Sequence, residues 1–236
     1  MDPRPIFIVV DGLDGCGKTT LVEALCKELW GQDVPHVRTA EPSPSRVGLF
    51  IRDMLRKSAQ QQTFEDREVL AERNVMAHLF AADRLLHTRV VEAALVERRH
   101  VVCDRWLLSS LVYQCGCSGP EDPEMLRRFS RLLALNGEIL ERAMPDLVVH
   151  PRVPAEVAFE RIHARDPHGP TYFEGKDQEK LMRDAGLWDK AVAYYEKVFQ
   201  RDVLVVDGQE NPVALAREVV QRLQVKFPWF PRLPKI

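Results

Sequence analysis

Near its amino terminus the chain reads FIVVDGLDGCGKTT, and no other stretch restricts its possible folds as tightly. Gly12, Gly17, Lys18 and Thr19 stand at the G-x-x-x-x-G-K-[ST] spacing of a phosphate-binding P-loop. Residues 6–10 form a short apolar, β-branched run that predicts a buried parallel strand. Val22, Leu25, Cys26 and Leu29 then recur at helical spacing. Strand, glycine loop and helix start, in that order, are the context the motif requires. The glycines let backbone N–H groups wrap a polyphosphate, and the helix N-terminus adds partial positive charge. The predicted cradle comprises Gly12, Leu13, Asp14, Gly15, Cys16, Gly17, Lys18, Thr19 and Thr20. Lys18 reaches the outer phosphates, Thr19 offers a hydroxyl to Mg²⁺, and the small Cys16 side chain lets the backbone curl. The motif alone does not separate a kinase from a switch protein or a motor.

Apolar runs alternate with helical patterns along the rest of the chain. IFIVV, HVRT, HVVCD, DLVVH and DVLVV read as five strands. Leu126, Phe129, Leu133 and Leu140 mark one intervening helix, and Val213, Ala216, Val220 and Leu223 a final one. This alternation predicts an α/β fold of the P-loop NTPase type, a five-stranded parallel sheet with helices on both faces. Ligands of such sheets collect beyond the carboxyl ends of the strands. At 236 residues the chain suits one domain, read as residues 1–225, with a proline-rich tail over 226–236 whose aromatic residues lie on the surface or against a partner. The polar stretch RDPHGPTYFEG reads as a short lid over about 165–175.

A net charge of −2 gives no reason to expect a nucleic-acid partner. No segment has the unbroken apolar length of a membrane helix, and no basic-then-apolar export signal precedes the first strand. The expectation is a cytoplasmic protein. Its five cysteines read as reduced thiols, and its seven histidines form no pair at metal-ligand spacing.

The segments after the strands carry further chemistry. GLDGCGKTT, EP with the later GLFIRDML, LFAADR, CDRWLLSSLVYQ, PDLVV, PAEVAFERIHAR and VVDG occur in an order and spacing that resembles the thymidylate kinase family over most of the chain. The resemblance implies ATP-dependent conversion of dTMP to dTDP, Mg²⁺ as cofactor, ATP and dTMP as partners, and a homodimer formed through helices away from the site. The residues themselves agree with such a reading. Asp104 ends an apolar strand, where a carboxylate organises Mg²⁺ and its waters, or caps the next helix, or does both. Arg105 comes directly after it, on the nucleotide side of the sheet. Phosphoryl transfer between two nucleotides gathers negative charge, so arginines should converge there.

By resemblance Arg105 and Arg52 hold the acceptor phosphate, although Arg52 also reads as a solvated helix residue. Phe80 and Arg84 lie one helical turn apart, which suits a pyrimidine stacked on the ring and hydrogen-bonded at its edge, or leaves Phe80 as plain core. Ser110 and Gln114 match residues that read the far edge of thymine, and Tyr113 matches a ring beneath the sugar. Asp14 matches an acid near the 3′-hydroxyl, and Glu41 belongs to the Glu-Pro element of the acceptor side. The loop sequence Asp14-Gly15-Cys16 carries no arginine, so the family pattern assigns the catalytic arginine to the lid entry, to Arg161 and Arg165, which otherwise read as a helix end.

The chain departs from the family pattern in five places. Ala40 stands where relatives have an arginine before Glu-Pro, with Arg46 the nearest substitute, and Ser43-Pro44 replace two glycines. Trp106 comes after Asp-Arg in place of tyrosine or histidine, Pro151-Arg152-Val153 replaces Leu-Asp-Val, and Tyr172 replaces an arginine. Two alternatives to a dTMP kinase therefore stand: a kinase of the same fold for dUMP, a cytidine or a modified nucleotide, and a nucleotide-binding regulator without catalysis.

Overall fold

The computed structural model describes residues 4–57, 61–116, 122–165 and 178–231. β1 (Phe7–Val10), β2 (His36–Ala40), β3 (His100–Asp104), β4 (Leu147–Arg152) and β5 (Val203–Asp207) form one sheet in the order β2-β3-β1-β4-β5. Every adjacent pair is parallel, with Val10 level with Asp104 and with Val149. Helices α1 (Lys18–Trp30) and α9 (Pro212–Lys226) cover one face of the sheet. The other face carries α4 (Arg73–Val96), α6 (Pro123–Arg142), α7 (Ala155–Arg165) and α8 (Gln178–Phe199). α2 (Arg46–Arg56) and α3 (Phe64–Ala71) stand before α4, and a one-turn α5 (Leu107–Ser110) runs into a π-helical turn over Leu111–Cys115.

β1 shows why the sheet has two cores. Its side chains alternate, as a strand requires. Phe7 and Val9 enter the cluster beneath α4, α6 and α8, whereas Ile8 and Val10 enter the cluster beneath α1 and α9. β1 is buried throughout, so its carboxyl end delivers the glycine loop from the middle of the sheet.

One sequence expectation, that the aromatic residues of the tail lie on the surface or against a partner, needs adjusting. Residue 225 is no boundary: α9 runs to Lys226, and Phe227 and Phe230 are buried in the α1/α9 core. Phe230 packs edge-on against His100, and the Trp229 indole donates to the Arg4 carbonyl. The aromatic residues of the tail had enough apolar area to be drawn into the domain rather than left on its surface. The expected lid over about 165–175 lies, Arg165 apart, outside the described residues, as do Tyr172 and Cys117. Cys16, Cys26, Cys103 and Cys115 are free thiols.

Candidate active site

The glycine loop is shaped by its neighbours. Gly15 and Gly17 adopt φ of 80° and 90°, the left-handed region that favours glycine. A Cβ on Gly15 would stand 2.4 Å from the Ala158 carbonyl oxygen of α7. Any side chain at this position, an arginine included, would therefore collide with the α7 backbone. Cys16 packs its sulfur against Gly12, and a Cβ there would come within 2.9 Å of it. Lys18 is buried and donates to the Leu13 carbonyl at 3.1 Å and to Asp14 at 3.2 Å.

Asp11, which the motif reading passed over, fastens this loop to the next strand's end. Its buried carboxylate accepts from the backbone N–H of Gly12, Trp106 and Ser109 and from the Ser109 hydroxyl, at 3.0, 3.1, 2.9 and 2.6 Å. Burial pushes its carboxyl up, against the pull of Arg105 and Ser109. An acid between an apolar strand and a glycine loop was the sequence signal for it. His150 on β4 lies beneath, hydrogen-bonded through Nδ1 to the Asp11 carbonyl and stacked on Trp188; burial keeps its ring from protonating readily.

Arg105 continues the ladder, donating its N–H to the Val10 carbonyl, and then turns at φ 74°. That conformation costs a side-chain-bearing residue about 1–2 kcal/mol. It throws the guanidinium back over the loop, onto Asp14 and, at 3.0 Å, onto the Ser109 hydroxyl. Burial alone would push the Asp14 carboxyl up; Arg105, then Lys18 and the Tyr113 hydroxyl at 3.0 Å, outweigh it and hold Asp14 well below the usual carboxylate range. Burial likewise opposes charge on Arg105, and Asp14 and Asp11 keep it firmly protonated.

Asp104 does not cap the helix after it; Trp106 occupies that place. Its Oδ2 accepts the Thr19 hydroxyl at 2.5 Å, and its Oδ1 is buried with no hydrogen-bond partner. Two hard oxygens, one of them orphaned, fit an oxygen-seeking divalent cation at the mouth of the loop. Among the described residues no group of three or more His, Cys, Asp or Glu could hold a metal ion, so a cation here would share phosphate oxygens and water.

Asp14, Glu41, Arg52, Phe80, Arg84, Arg105, Ser110, Tyr113 and Gln114 all line one cavity of about 190 Å³ beside the loop. All the acceptor-side residues anticipated from the sequence therefore meet in space. Phe80 serves two ends, lining the cavity while packing against a small core of Ile51, Met54, Leu70 and Met76. Arg52 donates through Nε to the Pro42 carbonyl at 2.6 Å, across the cis Glu41–Pro42 peptide, and Nη2 reaches the same oxygen. Gln114 is buried in the wall, one turn beyond Ser110. Arg56, one turn beyond Arg52, also lines the cavity and was missed, whereas the anticipated substitute Arg46 is exposed and does not.

A buried network holds the cavity floor. Arg84 donates Nε to both Glu41 oxygens at 3.0 Å and Nη2 to Glu41 at 2.7 Å. Nη1 donates to Asn136 Oδ1 at 2.7 Å, and Nη2 also reaches Ser110 at 3.1 Å. Its neighbour Asp83 accepts from the backbone N–H of Ser43 at 2.6 Å and from the hydroxyls of Ser43 and Ser45. Ser43 is thus a hydrogen-bonding anchor. Trp106 is core: Phe7 packs edge-on at 5.0 Å, His87 at 5.4 Å, and Arg84 lies over its ring at 5.5 Å.

On the far side, Arg161 lies close to the loop. Its Nη1 donates to the Gly208 carbonyl at 2.9 Å and stands 3.7 Å from where a Gly17 Cβ would be. Arg165, the last residue of α7, is exposed. Arg152 pairs with Asp189 at 2.7 Å in solvent. A larger hollow of about 590 Å³ lies between the ends of β4 and β5 and α8, and of the anticipated residues only Leu13 lines it.

Known proteins are similar in sequence to most of this chain. The family profile described as thymidylate kinase matches residues 10–218. A thymidylate kinase of Leptospira interrogans is 28% identical over 225 residues, 92% of this chain and 93% of its own length. One from Fervidobacterium nodosum is 27% identical over 219 residues, covering 92% and 97%. One from Shouchella clausii is 34% identical over 160 residues, covering 67% and 68%.

Proposed function

This chain belongs to the thymidylate kinase family, and we infer that it transfers the γ-phosphoryl group of ATP to dTMP, giving dTDP and ADP. The observation that carries the reading is the single cavity in which the acceptor-side residues converge, with Asp14 and Arg105 shared between cavity and loop. The acceptor's phosphate oxygen forms the new bond to the γ-phosphorus as the bond to the β,γ-bridging oxygen breaks. The attacking oxygen is already anionic, so no side chain need remove a proton. Catalysis then rests on alignment and on cations around the transferring group. The loop amides and Lys18 hold the donor phosphates, with Lys18 leaving Asp14 for them. Arg105 and Arg52 hold the acceptor phosphate, and Arg56 adds charge beside Arg52. Arg161 lies nearest the loop from the α7 side, and Arg165 continues toward the lid. Thr19 and Asp104 would hold Mg²⁺, which when bound screens the phosphate charges.

For the base, Phe80 supplies the stacking face, Arg84 a donor, and Ser110 and Gln114 the opposite edge. A cytosine would set its amino group against the Arg84 donor, whereas the 5-methyl group is read only by fit, worth roughly 10–200-fold. An ADP-release assay across monophosphates tests this. The expected order is dTMP, dUMP, dCMP, with dAMP and dGMP near background. A preference for a cytosine or purine nucleotide would overturn the assignment of dTMP and leave a kinase of other specificity.

The reading includes a homodimer through α4, where Leu86 and Val90 are 40% and 49% exposed. Light scattering on Val90→Asp should report monomer where the wild type reports dimer. No helix among the described residues is long and apolar enough to cross a membrane.

A further inference from the structure

We propose that Asn136, on α6 and outside the cavity wall, is a positioning residue that determines base specificity by fixing which hydrogen Arg84 presents to the acceptor. The inference rests on the reading that Arg84 faces the base. A guanidinium carries five N–H groups. The Nε hydrogen and both Nη2 hydrogens of Arg84 are taken by Glu41, Ser110 and, at 3.4 Å, the Trp106 carbonyl. Only Nη1 has a hydrogen to spare, and Asn136 decides which one, because its Oδ1 accepts the other at 2.7 Å.

The polarity of the Asn136 amide is itself determined. Its Nδ2 donates to the Leu132 carbonyl at 2.8 Å, one helical turn back. A flipped amide would set its NH₂ against the guanidinium and its oxygen against a carbonyl. Asn136 is 0% exposed and Arg84 1%, so bulk water does not compete for this contact in the intact protein. Neutrality matters as much as geometry. Glu41 already balances the Arg84 charge, and a second carboxylate at 136 would draw Nη1 away from the cavity. The amide tethers without competing, and the cavity is left with one oriented donor. Such a donor suits the ring carbonyl of thymine or uracil and clashes with the amino group of cytosine.

Steady-state kinetics on dTMP and dCMP, with Arg84→Ala run alongside, tests the proposal. Asn136→Ala should lower kcat/KM for dTMP about tenfold, the loss of one hydrogen bond to a charged group. It should lower dCMP less than about twofold and leave the KM for ATP unchanged, so the thymine-to-cytosine ratio contracts as it does in Arg84→Ala. A general structural role would instead depress both acceptors alike. An unchanged ratio in Asn136→Ala, with a contracted one in Arg84→Ala, would overturn the proposal and spare the base reading. An unchanged ratio in Arg84→Ala would overturn both. Should Asn136→Ala fail to fold, the near-isosteric Asn136→Asp carries the same test: a contracted ratio supports the role and an unchanged ratio refutes it.

Discussion

Replacing Gly15 by alanine adds a single methyl group, and the structure indicates how large its consequences should be. The new Cβ would begin 2.4 Å from the Ala158 carbonyl oxygen and 3.0 Å from its carbonyl carbon and Cα, where ordinary contact begins near 3.4 Å. The neighbours are helix backbone, so no side chain can rotate aside, and α7 must retreat by about 1 Å, the difference between 3.4 and 2.4 Å. Two costs arise. Overpacking of this kind costs about 1–3 kcal/mol, and alanine at φ 80° adds about 1–2 kcal/mol. The sum, about 2–5 kcal/mol, corresponds to a fall of roughly 4–20 °C in Tm for a chain of this size. The retreat also carries Arg161, three residues along the same helix, away from Gly208 and the loop. A displacement of that size costs about 10²-fold in kcat when the displaced group aligns the reacting atoms. Thermal melts with and without ATP, beside coupled ADP release, read both effects. A Gly15→Ala protein that melts within about 2 °C of wild type and turns over within about threefold would refute the reasoning, since α7 would then not be what excludes a side chain from the loop.

Three more outcomes rest on the same geometry. Arg161→Ala should lower kcat more than it raises KM for the acceptor, and more than Arg165→Ala does, because Arg161 lies against the loop; equal kcat in both variants and wild type would place the stabilising charge elsewhere. Arg105→Lys should cut kcat/KM for dTMP by at least about tenfold, since an ammonium cannot reach Asp14 and Ser109 together; an unaltered value would refute the clamp. Burial, and then the neighbouring His36, push the His100 ring down to about 4, and its Nδ1 accepts from the Ile6 N–H. The unfolded chain therefore binds the proton first, so the stability this ring contributes is intact above about pH 6.5 and is lost as pH falls toward 4, on the order of 3 kcal/mol. Denaturant titrations from about pH 7 to pH 4 should show that loss, and His100→Asn, which keeps an acceptor but does not titrate, should flatten it.

Local spacing in the sequence was enough for the loop, the five strands and the pairs set one turn apart, such as Phe80 with Arg84 and Ser110 with Gln114. These features depend on periodicity and on the conformational needs of glycine, both of which are written into neighbouring residues. The tertiary structure decided which polar side chains meet. Asp11 reaches Ser109 across 98 positions, and Asn136 reaches Arg84 across 52. Nothing in the vicinity of Asn136 sets it apart from any other polar residue on an amphipathic helix. Its role exists only because α6 packs against α4 at that level. The absent loop arginine shows the same division. Its absence is plain in Asp14-Gly15-Cys16, but that no side chain fits there is set by the backbone of α7 against Gly15, a contact between elements far apart in the chain that only the packed domain creates.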